Sequence, residues 1–477
     1  MAKLTESFQR ITGDRRATVD VVSAAPSPLQ PIDLTDDAVV TEVLDLAVRI
    51  GEVLLASGTG ATDTAEQVQY IAATYGLAQC DVDVTYNSIV LSAYRGPTLP
   101  PASTMRIVHY RSMDFTRLAA VDRLTRRIRR EAVTPREAHE SLTAVTTAPH
   151  PYNRWTATLA WSSMAASISV LVGGGVLVAS VAFLTTMVIY RVNRVLNRVG
   201  LPFFFQQVVG GLVAATPAAT LYTFQDQLGV QITPSQIIAA GVVVLLSGLS
   251  LVGSVQDAIT GAPITAVARF FEVVMMTGGI IAGVAISLRL TGVLGSTLPP
   301  VNVEVTELAR LPVLVMSGAF AAMFYALACY AEKRALTAAW IGGAVGALVF
   351  MVTQWFGVGP VIGSAIAATV VGFAGGLMAR RALTPPLVVA VAGIMPLLPG
   401  LSLYRGLYSL LNDQMLVGLS ELLAAFGIGC ALAAGVSLGE WIARTMRKPR
   451  MLRRVDDIRR PVFTARRRKP LEAEKAV

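Results

Sequence analysis

The sequence predicts a polytopic α-helical membrane protein. It has about ten spans, arranged as two inverted five-helix repeats, and an N-terminal soluble α+β domain. Three observations carry this. First, over 477 residues the chain is 53% hydrophobic and only 15% charged, with mean hydropathy +0.58. An ordinary soluble domain is about a quarter charged. Second, Pro234–Leu251 (PSQIIAAGVVVLLSGLSL) and Pro386–Leu403 (PLVVAVAGIMPLLPGLSL) align without a gap. They share Pro234/Pro386, Ala240/Ala392, Gly241/Gly393, Leu245/Leu397, Leu246/Leu398 and the whole run GLSL. A proline and a glycine at fixed spacing before an identical tetrapeptide, itself opened by glycine, mark an internal repeat. Third, apolar stretches of span length follow one another from Trp155 onward, with cations gathered at alternate ends. The chain then divides into a lead (1–33), a cytoplasmic α+β domain (34–150), a first repeat (151–300), a second repeat (301–446) and a basic cytoplasmic tail (447–477).

The lead is polar and carries Pro26, Pro28 and Pro31. Thr35, Asp36 and Asp37 then read as a helix start, because acids suit the positive end of the helix dipole. Leu44, Ala47, Val48, Val53 and Leu54 give that helix an apolar face up to about Ala56. Ser57-Gly58-Thr59-Gly60 breaks it. Asp63 with Glu66 reads as a capping box for a second helix reaching Tyr75. Cys80–Thr85 and Ser88–Tyr94 alternate in period two, with Tyr86-Asn87 where a hairpin turns. Met105–Tyr110 is a third strand candidate. Two basic helices follow, Asp114–Arg130 and Thr134–Val145.

A membrane helix needs about 20 apolar residues. Candidates are 155–172, 174–190, 203–224, 235–253, 265–290, 311–331, 335–355, 358–378, 386–404 and 418–443. Arg191, Arg194 and Arg198 follow the second, and Arg269 opens the fifth. Lys333 and Arg334 follow the sixth, Arg380 and Arg381 the eighth, and the tail the tenth. The opposite ends carry only Arg289, Arg310 and Arg405. The positive-inside rule places both termini in the cytoplasm. The two GLSL copies fall in spans four and nine. An offset of five spans is odd, so the second copy crosses the membrane in the opposite direction, as in the inverted repeats of secondary transporters. The competing reading is a pair of Gly-rich packing helices.

Several function classes are excluded. Cys80, Cys329 and Cys430 lie far apart without metal-ligand spacing, so neither a disulfide framework nor a metal site is expected. No cofactor is expected either. His109, His139 and His150 precede the membrane part and read as surface residues. From Arg444 onward thirteen Lys/Arg face four Asp/Glu, an excess equal to the whole net charge of +9. The basic balance is therefore a tail suited to anionic lipid, not a nucleic-acid surface. The first thirty residues lack the apolar core of a cleavable signal. Ser57-Gly58-Thr59-Gly60 resembles a phosphate loop only weakly, and a helix–helix turn accounts for it.

A zwitterionic solute needs a partner for each of its charges. Broken helices offer dipole ends and freed backbone groups. Pro396, Pro399 and Gly400 are placed to break span nine, and Gly248 span four. A kinked packing helix is the alternative. Ser250 and Ser402, within the GLSL runs, offer hydroxyls. Ionisable residues near or inside spans are candidates for coupling. These are Asp257, beside Gln256 and Thr260 one turn past the first GLSL, then Glu272 with Arg269 on one helix face, and Arg405 past the second GLSL. Asp257 has no evident partner nearby in sequence, which makes it the first coupling candidate. Its alternative is a turn or cap role. Glu421 and Glu440 mark the ends of the last span, and Glu440 with Arg444 reads as an interfacial pair.

The chain also resembles the bacterial threonine/serine exporters in their actinobacterial fused form. The resemblance rests on PIDLTD (31–36), RIGEVLLASGT (49–59), PSQIIAAGVVVLLSGLSLVGSVQDAITGAP (234–263), ARFFE (268–272), VAGIMPLLPGLSLYRGLY (391–408) and GEWIAR (439–444). It implies a cytoplasmic N-terminal domain, about ten spans, and export of L-threonine and L-serine driven by the membrane potential and the proton gradient. In relatives the two halves can be separate polypeptides. The resemblance assigns no site residues. The competing functions are a ligand-gated channel or sensor, and a membrane-tethered hydrolase acting through the N-terminal domain. The hydrolase lacks any visible nucleophile–base pair.

Overall fold

The computed structural model describes residues 31–109, 113–131, 133–228, 234–245, 248–293, 310–380 and 385–446. Most of the lead and all of the basic tail lie outside the described residues, as does Tyr110.

The first element is α1 (Asp37–Ala56). Asp36 caps it, accepting from the Ala38 and Val39 amides, which satisfies donors the helix itself cannot. The helix ends at Ser57, and Gly58 takes φ 92°, open to glycine at little cost. Helix α2 (Ala61–Thr74) starts on Gly60, with no capping side chain from its own sequence. The capping box expected from Asp63 and Glu66 is therefore corrected. The chain enters the helix three residues earlier, with Gly60 at the N-cap, and Asp63 lies within its first turn.

Strands β1 (Cys80–Thr85), β2 (Ser88–Ala93) and β3 (Ala102–Ile107) form one antiparallel sheet in the order β1-β2-β3. Thr85 pairs with Ser88, so Tyr86-Asn87 is a two-residue turn with Tyr86 at φ 52°. The third strand begins three residues earlier than the sequence predicted, because Ala102 to Ile107 pair along the whole of β2. Helices α3 (Phe115–Arg130, capped by Asp114) and α4 (Pro135–Thr147, with a Thr134/Glu137 capping box) complete the domain. Val43, Leu46, Ile50, Val68, Ile71, Ile89, Leu91 and Val121 are fully buried in its core.

The membrane part follows as α5 (Arg154–Leu171), α6 (Val176–Arg198), α7 (Phe203–Thr223), α8 (Pro234–Leu245), α9 (Gly248–Thr260), α10 (Pro263–Val293), α11 (Leu311–Ala328), α12 (Lys333–Trp355), α13 (Pro360–Arg380), α14 (Pro386–Ile394), α15 (Gly400–Leu411) and α16 (Met415–Thr445). Among the described residues, seven helices are long and apolar enough to cross a membrane. The number is eight if the α8–α9 pair, bent by 50°, counts as one span. This is fewer than the ten the sequence predicted. Helix α5 carries four serines and two threonines that lower its hydropathy, and the α14–α15 stretch is divided. Helix α14 passes into a 3₁₀ turn (Met395–Leu397), Leu398 is extended, and α15 restarts at Gly400. Pro396 and Pro399 flank this break. Proline removes a backbone donor and clashes with the preceding turn.

The element bounds of the two halves keep register. Helices α5, α6 and α7 each begin and end 157 residues before α11, α12 and α13 (311 − 154 = 157). Beyond the α7–α8 connection the offset is 152 (386 − 234 = 152), and it holds for the bounds of α10 against α16. Neighbours recur as well. Helix α7 packs on α10 as α13 packs on α16, and α9 lies on α10 as α15 lies on α16. Two glycines at the 152-residue offset make matching close contacts. A Cβ on Gly283 would come within 1.9 Å of the Val208 carbonyl oxygen, and one on Gly435 within 2.5 Å of that of Ala365. Small residues let helix backbones approach this closely in a bilayer.

Candidate functional site

The sequence-predicted residues separate into two places. Asp257, Thr260, Arg269 and Glu272 gather where the α9–α10 turn meets the N-terminal domain. Ser402 and Arg405 lie on α15, in the other half, with Ser250 at the start of α9.

Asp257 is fully buried near the end of α9. Arg269 on α10, itself 5% exposed, donates from Nη1 to Asp257 Oδ2 at 2.6 Å. The Ala61 amide donates to Asp257 Oδ1 at 2.8 Å. These partners lie outside its immediate neighbours in sequence, and Arg269, one of the two cations it could be expected to meet, lies on the next helix. The chain reverses at Gly261 (φ 99°), and this brings α10 back along α9. A residue twelve positions away becomes the counter-ion. The second partner is 196 residues distant and is a backbone group.

This geometry explains the bare start of α2. The first amides of a helix need acceptors from outside, and its positive end favours a carboxylate. Gly60 supplies no side chain, and Asp257 takes that role across the domain boundary. A Cβ at residue 60 would lie 3.2 Å from Asp257 Oδ1, so glycine leaves the carboxylate room. The SGTG turn thus receives a carboxylate rather than a phosphate.

More contacts surround this pair. Thr62 Oγ1 donates to the Thr260 carbonyl at 3.3 Å and lies 3.3 Å from Thr260 Oγ1. Thr260 Oγ1 also donates to the Gln256 carbonyl. Thr265 Oγ1 accepts from the Tyr86 amide at 3.0 Å and donates to the Val84 carbonyl at 3.1 Å. The Tyr86 hydroxyl donates to Glu272 Oε2 at 3.2 Å. Sequence reasoning missed Gly60, Ala61, Thr62, Val84, Tyr86 and Thr265 as members of this site. Backbone donors carry no side-chain signature, and the turn that holds Tyr86 had a sufficient local explanation.

A second junction joins the domain to the α11–α12 turn. The Phe115 amide donates to the Cys329 carbonyl at 2.9 Å, and Thr116 Oγ1 donates to the Tyr330 carbonyl. Arg123 pairs with Glu332 at 2.8 Å. His150 stacks on Tyr330, with centroids 4.3 Å apart, and its Nδ1 is 3.2 Å from Asp114 Oδ2. It is exposed, as expected, and also contributes to this junction. His139 lies 3.1 Å from Arg49 inside the domain, while His109 is exposed. Beside this junction lies a cavity of about 270 Å³ lined by Asp114, Thr116, Arg117 and His150.

In the second half the break brings the start of α15 against α8. A Cβ on Gly400 would come 1.8 Å from Val243 Cγ2. Pro399 and Gly400 are buried, and Ser402 and Arg405 are half-buried. Residues 246–247 lie outside the described residues, and Gly248 opens α9. Gly406 packs at Leu422 of α16, whereas Leu251 of α9 packs at Gly429 of the same helix. At 1.5 Å per residue, Arg405 is then about 20 Å from Asp257 along the helix axes. The first GLSL lies between the two. Glu421 is half-buried and Glu440 is 8% exposed. The Arg444 side chain lies outside the described residues. No group of His, Cys, Asp and Glu suited to hold a metal ion occurs among the described residues.

Comparison with known proteins gives one consistent result. A family model described as a threonine/serine exporter matches residues 45–291, and a second threonine/serine exporter model matches residues 314–442. The chain is 44% identical over 447 residues to the threonine/serine exporter of Corynebacterium glutamicum, covering 93% of this chain and 91% of that protein. It is 40% identical over 424 residues to a "probable threonine/serine exporter" of Mycobacterium tuberculosis, covering 86% and 78%. No solved structure matches the chain significantly.

Proposed function

The chain belongs to the threonine/serine exporter family, a family of transporters rather than enzymes, and from that premise we propose that it exports L-threonine and L-serine from the cytoplasm by alternating access. The observation that carries the mechanism is the register of the two halves. Constant offsets of 157 and then 152 residues across paired helices support ten crossings in two five-span repeats. The boundary between the two matched family models, at residues 292–313, falls between these halves. The α9–α10 turn and the α11–α12 turn both meet the N-terminal domain. That supports opposite orientation of the repeats and cytoplasmic placement of both termini. The basic tail then faces anionic lipid.

The solute path runs between the broken elements of the halves. In this reading the start of α15 at Gly400 offers amides to the substrate carboxylate. Ser250 and Ser402 contact its hydroxyl, and Arg405 orients it from the outer side. Gly248, Pro396 and Pro399 keep the breaks open. Export is coupled to proton entry through Asp257 and Arg269, with Gln256 and Glu272 around them, while Thr260 serves only to hold the N-terminal domain through Thr62. A carboxylate that loses its guanidinium partner in one state gains affinity for a proton in that state. Alternation between the two states then loads and releases a proton in each cycle.

The test is efflux from proteoliposomes loaded with labelled L-threonine under an imposed pH gradient. Gradient-dependent efflux, inhibited by L-serine and without ionic conductance, is the expected result. Ion conductance without saturable efflux would replace the carrier with a channel.

A further inference from the structure

We infer that the N-terminal domain is the inner gate of the transport path, docked in this structure and released once per cycle. The inference rests on the exporter reading above and goes beyond it. Its starting point is that the domain grips both halves at once. On the first half it holds the α9–α10 turn through Asp257, Thr260, Thr265 and Glu272. On the second half it holds the α11–α12 turn through Cys329, Tyr330 and Glu332.

Between these grips one short segment, Met113 to Phe115, enters the membrane part. Met113 Sδ accepts from the Tyr325 hydroxyl at 3.5 Å, and the Phe115 ring meets Tyr325 edge-on with centroids 6.2 Å apart. Tyr325 on α11 in turn abuts Trp161 on α5, with centroids 5.5 Å apart, and Trp161 stacks on Tyr190 of α6 at 5.3 Å. Helices α5 and α6 belong to the first half and α11 to the second. The domain therefore caps an aromatic cluster at the seam between the halves. The equivalents of Trp161 and Tyr190 at the 157-residue offset are Gly318 and Ala347, which pack directly together. At these positions the second half carries small residues in place of the aromatic pair.

The argument is geometric. Alternating access moves one half against the other. A rigid domain fixed to both halves cannot follow such a motion, so at least one grip must open. The first grip has a switchable part. Asp257 is held jointly by the amide at the start of α2 and by Arg269, so any event that draws its carboxylate away uncaps α2 and frees the domain edge. Packed interfaces of this kind respond as two discrete arrangements rather than by gradual stretching.

The test uses proximity at the first grip and a native thiol at the second. The Thr62 and Thr260 hydroxyl oxygens are 3.3 Å apart, within disulfide reach once both are cysteines. In full-length Thr62→Cys/Thr260→Cys protein with Cys80→Ala, Cys329→Ala and Cys430→Ala, oxidation is expected to lower L-threonine efflux at least about tenfold, and reduction to restore it. Separately, Cys329 is 3% exposed under the docked domain. With Cys80→Ala and Cys430→Ala its maleimide labelling is expected to accelerate several-fold when L-threonine and a proton gradient are supplied together. Full efflux from the cross-linked protein overturns the inference. So does Cys329 labelling that ignores substrate, whatever the flux. If the reduced double-cysteine protein and the unmodified chain both move no threonine, the exporter reading falls, and the labelling still decides whether the domain undocks.

Discussion

Asp257→Asn tests the ion pair at the domain junction most sharply. The replacement is nearly isosteric, so packing is kept and only charge and one acceptor change. Asp257 has no exposed side-chain surface and Arg269 has 7%. Removing one partner of a buried pair costs about 3–5 kcal/mol, since the other charge is left uncompensated. An exposed pair would lose less than about 1 kcal/mol. The Asn carbonyl keeps the bond from the Ala61 amide but without its charge, a further loss of about 1 kcal/mol. A total near 5 kcal/mol, if spent on docking, shifts that equilibrium by roughly 10³–10⁴. Two assays read it. Cys329 should label faster at rest than in the unmodified chain, and proton-driven efflux should fall while exchange at zero gradient persists. Replacing both partners, with Asp257→Asn and Arg269→Gln, should do less harm to stability than Asp257→Asn alone, because no unpaired charge remains. Normal labelling together with a normal pH dependence of efflux in Asp257→Asn would refute both the latch and the coupling role.

Other consequences follow from packing and ionisation. Gly400→Ala should lower the melting temperature and the transport rate, since its Cβ meets Val243 at 1.8 Å, and Val243→Ala should recover part of the loss; overpacking of this kind typically costs about 1–3 kcal/mol. Gly283→Ala should be far more damaging than Gly278→Ala in detergent melting curves, because the first meets a backbone carbonyl at 1.9 Å and the second meets nothing within 4 Å. Burial, and then the Asp81 charge, push the Cys80 thiol up to about 11, while burial and then Glu137 push Tyr75 up to about 12. Both groups are neutral when protonated and raised when folded. Their contribution to stability is present below the ordinary values of 9.0 and 10.0 and is lost as pH rises through about 11 and about 12. Melting curves of the N-terminal domain within the full chain should fall across that window, and Cys80→Ala should flatten the lower part of it.

Local chemistry was legible in the sequence. Asp36 at the start of α1, the start of α4 at Thr134 and the Tyr86-Asn87 turn each act over a few residues, and the structure realises them as read. The Asp63 capping box failed because the donors of α2 are met by a carboxylate from another domain, which no local pattern encodes. Arg269 was read beside Glu272 on its own helix face. Its bond to Asp257 depends on how the helix pair folds back at Gly261. The broken element between Ile394 and Gly400 follows from two prolines, whereas the docking of Phe115 on Cys329 has no sequence signature at all. The ungapped match of Pro234–Leu251 with Pro386–Leu403 was legible in the sequence, and the helix bounds around it keep constant offsets.

The most direct measurement is counterflow. Purified protein in vesicles holding excess unlabelled L-threonine is placed in a trace of labelled L-threonine with no ion gradient. A carrier with alternating access will drive the label inside to a transient level above that outside, and oxidised Thr62→Cys/Thr260→Cys protein will lose this overshoot until it is reduced. Label that rises to equality and no further, in the cross-linked and the free protein alike, would contradict the account.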